Sequence, residues 1–214
     1  MSQTEHVVVL ATTELEKQGI YPTDKLQTIN ISTLDQYSYG FLPRHLIDNK
    51  SAESIAVGKL YTQVLPYNLL IDSNTGSVLV YQRKGKEEGL LGKWSLGIGG
   101  HLSLEDISED FSSTVNLSAL ITNGANREFV EETGLLVDIL SEDYTRCILS
   151  YRDKTSQVHL GLVSFIEVDD LSELDLAPSE FLNIAWLSIE ELKQASLEWE
   201  AWSDIIVKSL TNEF

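Results

Sequence analysis

The sequence predicts an α/β fold, because apolar strand-like runs alternate with a long amphipathic helix. Two apolar runs, Val64–Ile71 and Ser77–Gln82, flank the turn-forming segment Asp72–Gly76, and this arrangement predicts a β-hairpin. From residue 117 to residue 129 an apolar side chain recurs every four positions, which predicts a helix with one face on a sheet. Strands and an amphipathic helix that needs a partner surface together indicate a layered α/β domain.

The predicted helix carries its apolar stripe on four residues, Leu117, Ile121, Ala125 and Phe129. Gly134 follows at the position where a left-handed C-terminal cap is expected. Further along, a capping box and a strand-to-helix transition are indicated by sequence pattern. The predicted later elements are strands at Cys147–Tyr151 and His159–Val168, a strand leading into a helix over Ile184–Leu192 with Ser188 and Glu191 as its capping box, and a closing helix at Leu197–Leu210.

The first sixty residues carry the weakest pattern. His6–Leu10 is typical of a buried strand, and Thr13 with Glu16 forms a potential capping box for a short helix that stops near Gly19. No repeat or low-complexity linker separates this region from the rest. We therefore expect residues 1–60 to form an N-terminal extension packed on a main domain that spans residues 61–214.

Composition restricts the functional class. A length of 214 residues with 43% apolar content is enough for one substantial core, and the single cysteine, Cys147, excludes an internal disulfide. No apolar run is long enough to span a membrane and the first residues lack a basic signal-peptide start, so a soluble cytoplasmic protein is expected. The net charge of −18 argues against nucleic acid and other polyanions as partners.

Three carboxylates and an arginine are concentrated in the segment REFVEETGL, residues 127–135. On a helix, Glu128, Glu131 and Glu132 stand at i, i+3 and i+4, so their side chains share one face and repel each other unless a cation joins them. Carboxylate oxygens suit a hard divalent ion such as Mg²⁺ or Mn²⁺. A solvated, salt-bridged helix end is the competing interpretation.

This segment resembles the second half of the Nudix box, Arg-Glu-apolar-x-Glu-Glu-x-Gly-apolar, and every specified position is filled. The first half, a glycine followed after five residues by an acid, has two versions here, Gly99 with Glu105 and Gly100 with Asp106. The chain departs from the family pattern between the halves, where extra residues are present. The polar segment 107–116 is the expected surface insertion, so the resemblance is to a split motif.

The resemblance implies an α/β/α sandwich with a mixed sheet between helices and an N-terminal extension. It also implies a metal-dependent hydrolase that cleaves the diphosphate bond of a nucleoside diphosphate linked to another group. The implied cofactor is Mg²⁺ or Mn²⁺. The implied metal ligands are Glu128, Glu131, Glu132 and a main-chain carbonyl of Gly99 or Gly100, with Gly100 preferred.

Other site residues follow from the same resemblance. Arg127 is expected to orient Glu131, and Glu180 is nominated as the acid that accepts a proton from water, with Glu167, Asp169 and Asp170 as rivals. Substrate contacts are expected from the glycine loop and from the basic cluster ahead of it. The predicted substrate-binding residues are Arg83, Gly99, Gly100 and His101, and Arg83 belongs to a cluster with Lys84, Lys86 and Lys93.

Two other functions are compatible with the same fold. A Nudix domain that binds a nucleotide metabolite without cleaving it is the main alternative, because the insertion could disturb the glycine loop. An isopentenyl diphosphate isomerase is the third, but that enzyme needs a cysteine near the loop and Gly97–His101 contains none. The expected partner is a small nucleoside diphosphate derivative, and a homodimer is possible by analogy with the family.

Overall fold

A computed structural model describes residues 5–34, 38–48, 50–84, 90–107 and 116–212. Within these residues the chain forms a ten-stranded sheet and five α-helices. The strands are β1 His6–Ala11, β2 Gln27–Thr28, β3 Tyr39–Pro43, β4 Tyr61–Asp72, β5 Ser77–Arg83, β6 Trp94–Ser95, β7 Gly97–Ile98, β8 Arg146–Leu149, β9 His159–Val168 and β10 Phe181–Leu187. The helices are α1 Thr12–Lys17, α2 Ala52–Gly58, α3 Leu117–Thr133, α4 Ile189–Gln194 and α5 Ala201–Asn212.

The sheet is mixed and is centred on β4. Its main path runs β10-β5-β4-β9-β8-β2, with β4 parallel to β9 and antiparallel to β5, β7 and β1. β4 is buried along most of its length, as expected for a strand covered on both faces. Its Val64 and Leu70 belong to the core that contains α3, whereas Tyr67 and Leu69 belong to the core that contains α5. The predicted α/β/α sandwich with a mixed sheet is therefore confirmed.

Helix α3 matches its sequence prediction at both ends. Asn116 accepts a hydrogen bond from the Ala119 amide, at 2.7 Å, and so caps the first turn. Gly134 adopts φ +71° as the left-handed C-terminal residue. The stripe residues Leu117, Ile121, Ala125 and Phe129 are all buried. Of the predicted insertion, residues 108–115 lie outside the described part of the chain.

The N-terminal region contributes strands to the same sheet. β1 lies between β3 and β4, and β2 pairs with β8. Residues before Tyr61 thus extend the main sheet, while the domain boundary at residues 60 and 61 stays a prediction. The capping box predicted from Thr13 to Glu16 is wrong, because the helix begins at Thr12 and its N-cap, Ala11, has no side-chain acceptor.

The closing helix begins later than predicted. It starts at Ala201 rather than near Leu197, because Glu200 caps it with a side chain whose partners lie elsewhere in the fold. The Ser188–Glu191 capping box of α4 is present as predicted. Among the described helices, none combines the length and the apolar character that crossing a membrane requires.

Gly124 in the middle of α3 provides a test of packing. An alanine in a helix interior is normally more favourable than glycine by about 1 kcal/mol. Here an added Cβ would lie 2.3 Å from Leu102 Cδ2 and 2.8 Å from Asp106 Oδ2. We expect Gly124→Ala to lower the free energy of unfolding by about 1–2 kcal/mol, because overpacking outweighs propensity. Urea denaturation would measure it. Gly40→Ala is the control, since its Cβ would meet no atom within 4 Å; equal effects of the two changes would contradict the packing argument.

Candidate functional site

The two halves of the split motif meet through an ion pair between Arg127 and Asp106. Arg127 Nε lies 2.8 Å from Asp106 Oδ1 and Nη2 lies 3.1 Å from Oδ2, so the contact is bidentate. The Asp106 side chain is 1% exposed, and its Oδ2 also accepts the Ser103 amide hydrogen at 2.7 Å. These bonds raise the pKa of Arg127 above its usual value. Of the two acids that could belong to the first half of the motif, Asp106 is therefore the one that pairs with Arg127, and Glu105 is exposed.

The glycine loop approaches α3 and β4 more closely than any side chain would allow. Gly99 has φ +145°, and a Cβ on it would lie 2.2 Å from the carbonyl oxygen of Pro66. A Cβ on Gly100 would lie 2.5 Å from the Glu128 carboxyl group. A side chain of β4 also holds the start of the loop, because Asn68 Nδ2 donates a hydrogen bond to the Ile98 carbonyl at 3.2 Å. Gly99 is therefore required by its conformation and by its contact with main-chain atoms, and a side chain at Gly100 would displace the Glu128 carboxyl group.

Arg127 orients Glu128 more directly than Glu131. Its Nη1 lies 2.8 Å from Glu128 Oε1 but 3.5 Å from Glu131 Oε2. The Glu128 side chain is 17% exposed, whereas that of Glu131 is 60% exposed. Burial raises the pKa of Glu128. The predicted contact of Arg127 with Glu131 is present but long, and the shorter bond to Glu128 was not predicted.

Glu132 lies in the least favourable environment for a carboxylate. Burial, followed by the charge of Glu128, raises its pKa to about 8. Arg83 and a hydrogen bond from the Gly99 amide act in the opposite direction, and the charge of Glu180 raises the pKa further. The structure therefore gathers four sequence-predicted residues, Glu128, Arg83, Gly99 and Glu180, around Glu132.

The segment that carries Glu180 runs over the C-terminal end of α3. The Ala177 amide donates to the Glu132 carbonyl at 2.9 Å, and the Lys84 amide donates to the Glu180 carbonyl at 3.0 Å. These main-chain bonds hold Glu180 near Glu132. Of its rivals, Asp169 is engaged at the β4–β5 hairpin, where its carbonyl accepts from Asn74 Nδ2 at 2.7 Å. Lys86 of the basic cluster lies outside the described residues.

The donor set fits a divalent cation by its chemistry. Glu128 and Glu132 are two partly buried carboxylates whose mutual repulsion a cation would relieve, and carboxylates are hard oxygen ligands. Across the described residues, no three His, Cys, Asp or Glu side chains already converge as a ligand shell. Glu128, Glu132 and main-chain oxygens such as that of Gly100 are therefore protein ligands available to a cation, and Glu131 of the same helix is a further one.

A cavity of about 170 Å³ lies beside the glycine loop. Arg83 and the loop form one part of its wall, and residues that the sequence did not indicate form much of the remainder. Its lining comprises Leu65, Pro66, Tyr67, Arg83, Leu90, Gly97, Gly99, Gly100, His101, Asp153, Thr155, Ser156, His159, Glu200, Ala201 and Trp202. Predicting this set required the parallel pairing of β4 with β9, which brings His159 opposite Gln63.

Two histidines meet in the wall of this cavity. His101 Nε2 lies 3.1 Å from His159 Nε2, and His159 Nδ1 lies 2.6 Å from the Thr155 carbonyl. Because a carbonyl only accepts, His159 donates from Nδ1, and in the neutral pair His101 Nε2 donates to His159 Nε2. Burial, followed by the charges of His159 and Arg44, lowers the pKa of His101 well below its usual value.

Glu200 caps α5 from within the same wall. Its carboxylate accepts hydrogen bonds from the Trp202 amide and the Ser203 amide, both at 2.8 Å, and from Ser203 Oγ at 2.6 Å. The Tyr67 hydroxyl donates to it at 2.5 Å. Burial and the Glu200 carboxylate raise the pKa of Tyr67 well above its usual value, so the phenol retains its proton. A buried carboxylate thus occupies the N-terminal end of the helix.

Comparison with known proteins gives one family. The family model described as the NUDIX domain matches residues 66–208. "Protein YmaB" of Bacillus subtilis is 27% identical over 159 residues, which cover 70% of this chain and 71% of that protein. The crystal structure of Tm1382, assigned to the Nudix hydrolases, aligns with 98% of this chain and 100% of its own, with a TM-score of 0.70 and 24% identity. That structural likeness shows the fold.

The Asp106–Arg127 pair predicts unequal effects for two neighbouring acids. Asp106→Asn replaces the charged partner of Arg127 by a neutral amide. We expect this change to lower the free energy of unfolding by about 1–3 kcal/mol, and not by more, because Arg127 is partly exposed. Glu105→Gln should change it by less than about 0.5 kcal/mol. Urea denaturation of both variants would measure the difference. Equal losses would show that the pair does not stabilise the fold.

The raised pKa of Glu132 predicts a pH dependence of stability without divalent metal. Between its usual value of 4.5 and about 8, the folded state binds a proton that the unfolded state releases. The free energy of unfolding should therefore fall as pH rises through this range. Glu132→Gln should remove this pH dependence, and above pH 8 its free energy of unfolding should exceed that of the wild type by about 1–3 kcal/mol. Denaturation at several pH values in chelator would test this. Glu131→Gln, in which Glu132 remains, should keep the wild-type slope.

Proposed function

The chain belongs to the Nudix family, and we propose that it is a metal-dependent hydrolase that cleaves the diphosphate bond of a nucleoside diphosphate linked to another group. The observation that carries the proposal is the environment of Glu132, a partly buried carboxylate beside Glu128 with a pKa raised to about 8. Two partly buried carboxylates in contact with a glycine loop and an arginine form a site that is unfavourable without a cationic ligand.

We assign the metal to Glu128 and Glu132, with Glu131 and the Gly100 carbonyl as further ligands. Mg²⁺ or Mn²⁺ bound there would neutralise a diphosphate and lower the pKa of a coordinated water. Arg127 is a positioning residue, because it fixes Glu128 through a guanidinium already held by Asp106. Its other contact, to the His101 carbonyl at 3.2 Å, fixes the glycine loop.

The remaining groups would act on substrate and water. Arg83 lies close enough to Glu132 to lower its pKa, so its charge is placed to bind a phosphate oxygen next to the metal ligands. Glu180 is the proposed acceptor of the proton from the attacking water, because its charge also acts on Glu132. Gly99 and Gly100 allow a diphosphate to approach the main chain.

The two alternatives have less support. A binding-only domain was considered because the insertion could disturb the glycine loop, yet Asp106 and Arg127 are joined across it. An isomerase would need a reactive thiol, and the single cysteine, Cys147, is buried in β8, where burial raises its pKa to about 12. Cytoplasmic location, a small-molecule partner and a homodimer remain predictions from the sequence.

The proposal is tested with a panel of nucleoside diphosphate derivatives, in Mg²⁺ or Mn²⁺ and in chelator. We expect metal-dependent release of phosphate-containing products by the wild type. Glu132→Gln should reduce kcat/KM by about a hundredfold or more, because a metal ligand and its charge are lost. Glu190→Gln, at an exposed position in the first turn of α4, is the control and should retain full activity.

The outcomes separate the proposed functions. Undiminished turnover by Glu132→Gln would remove this site from the reaction. Tight binding of one compound by the wild type, without cleavage under any metal condition, would establish the sensor instead. Circular dichroism and thermal melting of each variant would show whether lost activity reflects lost folding.

A further inference from the structure

The cavity shares part of its wall with the carboxylate site. Arg83, Gly99 and Gly100 line the cavity and also contact or act on Glu132 and Glu128. Another part of the wall is formed by residues 153–159 and by the first residues of α5. A diphosphate bound at the shared wall would direct the group attached to it toward this second part of the cavity.

The second part of the cavity is acidic. Asp153 and Glu200 both line it, and among the described lining residues Arg83, at the shared wall, is the only lysine or arginine. Neither His101 nor His159 is a fixed cation, because the Nε2–Nε2 hydrogen bond at 3.1 Å needs a lone pair on one ring. Among the described lining residues, a further phosphate would therefore meet negative charge there without a compensating lysine or arginine.

Two arginines near the cavity, Arg152 and Arg44, are already paired with acids. Arg152, next to Asp153 in the chain, forms ion pairs with Asp24, at 2.9 Å, and with Asp204. Arg44, whose charge reaches His101, forms an ion pair with Glu5 at 3.0 Å. Lys154 is exposed and does not line the cavity. The neighbouring positive charges therefore add little attraction for an anion.

The helix terminus in the wall is also occupied. The N-terminus of a helix ordinarily attracts a phosphate through its free amide groups and its dipole. In α5 the amides of Trp202 and Ser203 donate to the Glu200 carboxylate instead, each at 2.8 Å. The place where a third phosphate would find amide donors is thus taken by the protein's own carboxylate.

This part of the cavity wall presents hydrogen-bond acceptors beside apolar side chains. Asp153 Oδ1 accepts from the Ser156 amide at 2.7 Å, and Oδ2 has no partner among the described residues. Thr155 and Ser156 add hydroxyl groups, and Leu65 and Trp202 add apolar contact. A volume of about 170 Å³ is several times the ~30 Å³ of one water molecule. Such a wall suits a ring that carries hydroxyl donors.

We propose that this cavity selects substrates in which the diphosphate joins a nucleoside to an uncharged, hydroxyl-bearing group such as a sugar, and that it rejects nucleoside triphosphates and dinucleoside polyphosphates. The proposal rests on the hydrolase function proposed above and adds the substrate class. Selection comes from charge: an uncharged ring donates hydrogen bonds to Asp153, whereas an additional phosphate is repelled by Asp153 and Glu200.

Competing hydrolysis of three substrate types by Asp153→Asn tests the proposal. The wild type should give a higher kcat/KM with a nucleoside diphosphate hexose than with a nucleoside triphosphate or a dinucleoside tetraphosphate. Asparagine can keep the Oδ1 bond to Ser156 while removing the charge. We therefore expect the preference for the hexose compound to fall by about fivefold, the factor for one partly exposed charge.

The matched control is Asp72→Asn. Asp72 Oδ1 also accepts a main-chain amide, that of Asn74 at 3.0 Å, but Asp72 lies in the β4–β5 hairpin and does not line the cavity. Its substrate preference should equal that of the wild type. A wild-type preference for the triphosphate or the tetraphosphate, or an equal change in both variants, would overturn the proposal.

Failure of the hydrolase function would be seen separately. If the wild type cleaves none of the compounds, the proposed reaction is wrong, and titration calorimetry of the same compounds then tests the cavity alone. Binding of the hexose compound that is tighter than that of the triphosphate, and that weakens in Asp153→Asn but not in Asp72→Asn, would support the selection. Equal or tighter binding of the triphosphate would refute it.

Discussion

The arrangement of the site depends on the buried ion pair between Arg127 and Asp106. A carboxylate that is 1% exposed is stable only when it is paired, so the turn that follows the glycine loop must lie against α3. The same guanidinium donates to the His101 carbonyl and to Glu128. One cation therefore joins the loop to the helix, at a distance where a side chain at position 100 would displace the Glu128 carboxyl group.

Around this pair the chain keeps more negative charge than its stability favours. Burial and Glu128 raise the pKa of Glu132 to about 8, and Glu180 raises it further, while Arg83 opposes them only in part. Such a cluster lowers the stability of the protein without a bound cation, and a ligand that binds only the folded state would restore it. The cost in stability is a consequence of keeping these oxygen donors together, which the proposed metal site would require.

The sequence predicted the apolar stripe of helix α3 and its end at Gly134, because periodicity and capping depend on residues that are close in sequence. The sequence did not decide whether Glu105 or Asp106 is the acid that pairs with Arg127, since the choice depends on which side chain is buried beside the arginine. It also placed the start of the last helix too early, because Glu200 is held by Tyr67, which is distant in the sequence. The cavity was not predicted for the same reason: its wall forms only when strands β4 and β9 pair.

The glycine loop contacts both the carboxylate site and the wall of the cavity. On one side Gly100 contacts Glu128, and on the other Gly97 packs against the Tyr67 ring, where a Cβ would lie 2.1 Å away. Tyr67 binds Glu200, and Ser203 accepts a hydrogen bond from the Leu96 amide at 2.9 Å, so the start of α5 is fixed to the strand that leads into the loop. Because the same short segment positions both the carboxylates and the cavity wall, a shift of the loop would disturb bond cleavage and substrate choice together. Asp153 lines the cavity but lies outside the glycine loop, so Asp153→Asn tests the proposed selection while the residues proposed for bond cleavage are unchanged.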